Sequence, residues 1–144
     1  MLLISHRGNL NGPDPTYENS PAYIEAALKA GFDVEIDVWY NGVGLWLGHD
    51  LPAYPTSPDF LTRPGLWCHA KSIPALERLI DIGAHCFFNY ADAVTLTSKN
   101  YLWTYPGEVL TPRSICVLPD RRKREALNCA GVCSDFISHY RSRP

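Results

Sequence analysis

The stretch Phe32-Asp33-Val34-Glu35-Ile36-Asp37-Val38 decides how this chain is read. Alternate residues of a β-strand share a face, so Asp33, Glu35 and Asp37 line one side and Val34, Ile36 and Val38 the other. The apolar side calls for a packed layer behind it. The three carboxylates stand roughly 6–7 Å apart along theirs, where they repel one another and resist burial. A bound cation removes that cost. Working outward, His6-Arg7-Gly8 precedes the strand and His49-Asp50 follows it. Two side chains able to give or take a proton near neutral pH therefore flank the acidic face.

A chain of 144 residues makes one domain and buries roughly two-thirds of its unfolded surface. With 19% charged residues, 46% hydrophobic residues and a formal net charge of −2, it carries no electrostatic footprint for nucleic acid or an anionic membrane. The one basic run, Arg121-Arg122-Lys123-Arg124, reads as a solvated helix start or turn, with a phosphate or lipid patch as the alternative. No apolar stretch reaches the roughly 18–20 residues of a membrane span. The N-terminus enters Leu2-Leu3-Ile4 directly, with no signal-peptide pattern. The five cysteines are odd in number and sit mostly in apolar contexts, which fits reduced, buried thiols in a soluble cytoplasmic protein.

Strands are expected over Leu2–Ser5, Phe32–Val38, Leu66–Ala70, Cys86–Asn89, Tyr101–Thr104, Ile115–Leu118 and Gly131–Ser134. Ser20 can cap a first helix with Pro21 at its first position, apolar Ile24, Ala27 and Leu28, and Gly31 beyond its end. Ser72 can cap a second, with Leu76, Leu79 and Ile80 facing the core and Gly83 as its stop. A third helix is expected from about Arg121 to Asn128. Alternating strands and helices argue for parallel βα units. Residues 90–100 and 105–114 are too short and too rich in turn formers for full crossover helices. The expected fold is a single α/β domain over residues 1–144, a compact (β/α) barrel whose helices are reduced. Pro52–Pro64 is expected as a long irregular loop over the mouth of the site.

These motifs resemble the glycerophosphodiester phosphodiesterase family, metal-dependent (β/α) TIM-type barrels. The resemblance rests on His6-Arg7-Gly8 at the end of the first strand, Glu18-Asn19-Ser20, the strand Gly31 to Val38 with Glu35 and Asp37, and His49-Asp50. It spans residues 4–50, with weaker matches over 66–71 and 131–136, in a chain much shorter than is usual for that family. It implies His6 and His49 as the acid–base pair and Glu35 and Asp37 as ligands of a divalent cation (Mg, Ca or Mn). It further implies a glycerophosphodiester substrate cleaved to glycerol 3-phosphate and an alcohol, with the substrate's own neighbouring hydroxyl attacking phosphorus to form a cyclic intermediate and His6 and His49 shuttling the protons. Arg7 and Lys71 would clamp the phosphate. Glu18 would be a further ligand or the partner of Arg7, Asp50 an orienter of its loop, and Trp103 a pocket wall or a core aromatic. Asp33 reads as structural.

One position departs from that pattern. The family has Glu-x-Lys on its third strand, whereas this chain has His69-Ala70-Lys71. An imidazole there either ligates the metal, shifting preference away from Ca²⁺, or takes a substrate or supporting role. Three functional expectations remain open. The first is a glycerophosphodiesterase; the second is a lysophospholipase D- or sphingomyelinase D-like enzyme differing in leaving group; the third is a silent barrel that binds phosphorylated ligands. The expected partner is a small phosphodiester, without nucleic acid or stable membrane insertion, and a homodimer is plausible for so small a barrel.

Overall fold

The computed structural model describes residues 1–122 and 128–141. In chain order its elements are β1 (Leu2–His6), α1 (Pro21–Lys29), β2 (Asp33–Tyr40), β3 (Leu45–Leu47), β4 (Tyr54–Thr56), α2 (Pro58–Leu61), β5 (Leu66–Ala70) and α3 (Ile73–Asp81). There follow β6 (Cys86–Phe88), β7 (Val94–Leu96), β8 (Leu102–Thr104), β9 (Ser114–Val117) and β10 (Gly131–Ser134), with 3-10 turns over Pro119–Arg122 and Ile137–Tyr140.

Local chemistry accounts for the two longer helices. Ser20 Oγ accepts from the Tyr23 amide at 3.3 Å, and Ser72 Oγ from the Ala75 amide at 3.2 Å. Each cap thus satisfies a donor that the first helical turn leaves open. Pro21 opens α1 and Pro74 lies in the first turn of α3, where a missing amide hydrogen costs nothing.

The ten strands form one mostly parallel sheet, with the parallel order β6-β5-β2-β1-β10-β9-β8. β7 is antiparallel to β8, and β3 and β4 form an antiparallel extension of β2. β2 organises this arrangement. Residues 33–35 pair with β1, residues 34–38 with β5 on the opposite edge, and residues 38–40 run on to pair with β3. The sheet is rolled. β6 and β8 lie at opposite ends of the parallel order, yet the rings of Phe87 and Trp103 sit with centroids 4.6 Å apart. Among the described residues no ladder joins β6 directly to β8. Instead the Ser98 amide donates to Cys86 O at 2.8 Å, tying the end of β7 to β6.

Rolling divides the side chains as the alternation in β2 requires. Val34, Ile36 and Val38 face outward into a core with Ile24 and Ala27 of α1 and Ala75 and Leu79 of α3. Truncating one such fully buried aliphatic to alanine costs about 2–5 kcal/mol. Inside the roll, Ile4, Trp67, Phe87, Trp103, Ile115 and Val117 pack together. Glu35 and Asp37 share that inner face towards the C-terminal ends of the strands. Asp33, nearer the other end, accepts from Trp67 Nε1 at 2.9 Å, a structural role.

Several expectations need correction. Pro52–Pro64 is not irregular: it holds β4 and α2, the latter capped by Ser57 Oγ on the Phe60 amide. Pro55 is tolerated in β4 because that strand is an edge, paired among the described residues with β3 alone. Residues 90–100 carry no helix, as expected, but do contain β7, and β3 was also unforeseen. Of the helix expected over Arg121 to Asn128, residues Pro119–Arg122 form a 3-10 turn and residues 123–127 lie outside the described residues. Cys68, Cys86 and Cys133 are free, buried thiols. No helix among the described residues is long and apolar enough to cross a membrane.

Candidate functional site

The C-terminal ends of β1, β2, β5, β6 and β8 converge on a pocket of about 200 Å³. His6, Arg7, Glu35, His49, His69 and Lys71 line it, and Trp103 and Tyr105 wall it on the β8 side. A second pocket, about 430 Å³, adjoins it and shares Arg7 and His49. Strand ends are where a rolled parallel sheet leaves backbone and side chains free to meet a ligand.

The His6-Arg7-Gly8 motif makes a tight turn off β1. Arg7 adopts φ 56° and Gly8 φ 95°. A Cβ on residue 8 would stand 2.6 Å from Tyr23 Cδ1, so only glycine fits there. The Arg7 amide donates to Glu35 O and its carbonyl accepts from Asn19 N, which over-determines the left-handed conformation of Arg7. Before His49, a Cβ on Gly48 (φ 150°) would meet Leu51 O at 2.0 Å, so glycine is required at that turn also.

Each candidate proton-transfer histidine carries its own carboxylate. His6 Nδ1 lies 2.6 Å from Asp135 Oδ1, across the β1–β10 pair, and Asp135 Oδ1 also accepts from Asn9 Nδ2 at 2.9 Å. An acceptor at Nδ1 places the hydrogen there and turns Nε2 towards the pocket, 3.8 Å from Glu35 Oε2. Burial alone would raise Asp135, but the hydrogen bond and charge of His6, with Asn9 and Arg121, hold its carboxyl below the usual range. His49 Nδ1 lies 2.7 Å from Asp50 Oδ1 in a more open setting.

Asp37 is fully buried and crowded by donors. Oδ2 accepts from Asn19 Nδ2 at 2.9 Å and lies 3.0 Å from Arg7 Nε; Oδ1 lies 3.1 Å from His69 Nδ1 and 3.3 Å from Lys71 Nζ. Burial opposes its charge, yet the His69 hydrogen bond and the Arg7 and Lys71 charges hold the carboxyl far below its ordinary value. His69 sits between two acceptors, Asp37 Oδ1 and Asn89 O (3.1 Å from Nε2), an arrangement that favours the cationic ring, whose two nitrogens can both donate. Burial works against that charge, but the bond to Asp37 and the charges of Glu35 and Asp37 outweigh it and raise the His69 pKa.

Glu35 contrasts with Asp37. It is fully enclosed, and its Oε2 has no hydrogen-bond partner. Burial, then the charge of Asp37, raise its carboxyl, with His6 and His69 pulling the other way. An orphaned buried oxygen costs about 1–3 kcal/mol or more unless something meets it. Glu35, Asp37 and His69 each offer one ligand atom, all within 4.8 Å of one another, so the trio fits a shared cation. For His69 to hold a cation, its Nδ1 would have to give up its proton, while Nε2–H could remain on Asn89 O, the usual support for a ligating imidazole.

The other expected residues fall as follows. Glu18 lies outside that trio: its oxygens face Arg7 Nη1 at 3.2 Å and Asn9 Nδ2 at 2.8 Å. Trp103 lines the pocket while 2% exposed, so it is at once a core aromatic and a wall. The structure adds Asp135, Asn9, Asn19 and Tyr105 to the site. Burial pushes the Tyr105 phenol up to about 12, the Glu35 charge adding and a hydrogen bond from Trp103 opposing. The Gly131-to-Asp135 match was the one signal pointing to Asp135, and nothing in the sequence alone singles out Tyr105. Comparison with protein-family models, with curated proteins and with solved structures finds no match to this chain.

Proposed function

We propose that this chain is a metal-dependent phosphodiesterase of the glycerophosphodiesterase type, and that its rolled sheet is a reduced (β/α) barrel. The observation that carries the reading is the pairing in one pocket of two carboxylate-held histidines with two cations and the buried carboxylate of Glu35, whose Oε2 has no hydrogen-bond partner. A divalent cation held by Glu35, Asp37 and His69 would neutralise charge on a phosphoryl oxygen.

The chain's own side chains supply the remaining steps. Arg7 and Lys71 bind the nonbridging oxygens, and Asp37 holds both cations in position. His6 Nε2 takes the proton of the substrate hydroxyl that attacks phosphorus. His49 gives a proton to the leaving alkoxide, which departs towards the adjoining pocket that His49 also lines. The retained group, bearing the attacking hydroxyl, lies against Trp103 and Tyr105. That attack closes a cyclic phosphodiester; His49, now deprotonated, takes a proton from a water that opens the ring, and His6 returns its proton to the departing ring oxygen. The substrate is a glycerophosphodiester and, with one water consumed, the products are glycerol 3-phosphate and an alcohol.

The test is an activity matrix on chelator-stripped protein. Mg²⁺, Ca²⁺, Mn²⁺ and Zn²⁺ are each combined with glycerophosphocholine, glycerophosphoethanolamine, lysophosphatidylcholine and sphingomyelin. Metal-dependent release of glycerol 3-phosphate supports the reading. No turnover of any diester with any metal, alongside retained inorganic-phosphate binding, would replace it with a silent phosphate-binding barrel.

A further inference from the structure

The steps above use the ring of Tyr105 as a wall and give its phenol O–H no task. Tyr105 follows the C-terminal end of β8 and lines the same pocket as His6, Arg7, His49 and Lys71. Its amide donates to Ala93 O at 2.9 Å, which fixes the backbone at that point. Trp103, two residues earlier and also lining the pocket, is packed on Phe87 with centroids 4.6 Å apart and on Trp67 at 5.9 Å. A phenol has one hydrogen to donate, and Tyr105 carries it as part of the pocket wall.

We propose that Tyr105 is a further catalytic residue, its phenol O–H donating a hydrogen bond to a nonbridging phosphoryl oxygen as negative charge builds there. The inference rests on the phosphodiester reading. It deepens that reading because the donors already assigned reach the phosphate from one side of the roll. Arg7 comes from the end of β1 and Lys71 from the end of β5, both leashed to Asp37. β8 stands at the far end of the parallel order and is brought over the site only by rolling. A phosphodiester has two nonbridging oxygens, and a donor from β8 serves the one that the β1 and β5 cations face less directly. A fixed donor aimed where charge develops costs no reorganisation during reaction, so it acts on turnover more than on binding.

The experiment compares parent and Tyr105→Phe on glycerophosphocholine and on its separated Rp and Sp phosphorothioate diastereomers, with the melting temperature of each protein recorded. Phenylalanine keeps the ring and removes only the hydroxyl. Sulfur accepts hydrogen bonds poorly, so the diastereomer with sulfur facing Tyr105 is the slower substrate for the parent. Expected for Y105F are a kcat lower by roughly 10²-fold, a KM within about threefold of parent, and a diastereomer preference narrowed at least about tenfold. The preference is a ratio of two rates on one sample, so partial loss of folded protein does not change it. Parent-like kcat and preference in Y105F overturn the assignment and leave the phosphodiesterase reading standing. A lower kcat with an unchanged preference also overturns it, reducing Tyr105 to a packing residue. A parent inactive on every diester overturns the phosphodiesterase reading and this inference with it.

Discussion

Replacing Asp135 separates what its charge does for His6 from what its position does. Asp135 Oδ1 receives two donors, His6 Nδ1 at 2.6 Å and Asn9 Nδ2 at 2.9 Å. In Asp135→Asn the Asn9 amide requires an oxygen at that point, so the new side chain keeps its carbonyl there and His6 keeps its Nδ1 hydrogen. The ring stays aimed, and only the negative charge that supports an imidazolium is lost. A charge-assisted hydrogen bond contributes about 1.5–3 kcal/mol and a neutral one about 0.5–1.5. The difference of about 1–2 kcal/mol corresponds to a fall in turnover of about 5- to 30-fold. Asp135→Ala removes position as well as charge and should cost roughly 10²-fold or more. Stability adds an independent readout. The Asp135 carboxyl lies below its ordinary value in the folded state. Its contribution is therefore present above the unfolded pKa near 3.9 and is lost as pH falls through the lower folded value. D135N should melt below parent at pH 7, and the gap should close in strong acid. The assays are steady-state turnover on the best diester and calorimetric melting from about pH 2 to 8. Turnover of D135A within threefold of parent would refute the claim that Asp135 positions a reacting His6.

Other outcomes follow from the same geometry. Added metal should raise the melting temperature of the parent, and Glu35→Gln should abolish that rise. Because the folded Glu35 pKa is raised, the parent loses stability as pH rises above the unfolded value near 4.3. The metal-free Gln variant should accordingly melt higher than metal-free parent at pH 7 and not at pH 3. Titration calorimetry of the parent should show metal affinity declining between about pH 8 and 5.5 and a preference for Mn²⁺ or Zn²⁺; His69→Glu should flatten that decline and shift preference towards Ca²⁺ or Mg²⁺. An unchanged ranking and profile would place His69 outside the metal's ligands. His85 is packed against Trp67 and bonded to Thr97 Oγ1 at 2.9 Å, and burial, with Lys99 nearby, lowers it to about 4. The unfolded chain takes up that proton first, so stability should fall from about pH 6.5 towards 4, by on the order of 3 kcal/mol. His85→Phe should remove most of that slope, and an unchanged acid transition would count against it.

The sequence by itself determined whatever local chemistry controls. Strict alternation in Asp33 to Val38 fixed which side chains face inward and which pack outward, because the side-chain period of a strand is set by the backbone. Ser20 and Ser72 placed the starts of α1 and α3, because a cap bonds its own chain three residues on. Leu66–Ala70 and Gly131–Ser134 were legible as strands to the residue. β3, β4 and β7 were not, since three residues carry too little period to read and their pairing comes from partners. The site divides along the same line. His6, Arg7, Glu35, Asp37, His49, His69 and Lys71 were legible from motif and strand phase. The tertiary structure alone decided that Asp135 meets His6 from 129 residues away, that Glu18 turns to Arg7 and Asn9, and that Asp37 is saturated with donors while Glu35 is not. It alone carried β8 over the mouth. These are questions of which strands lie side by side and how tightly the sheet rolls. They are settled by burial summed over the whole core, where distance along the chain carries no information.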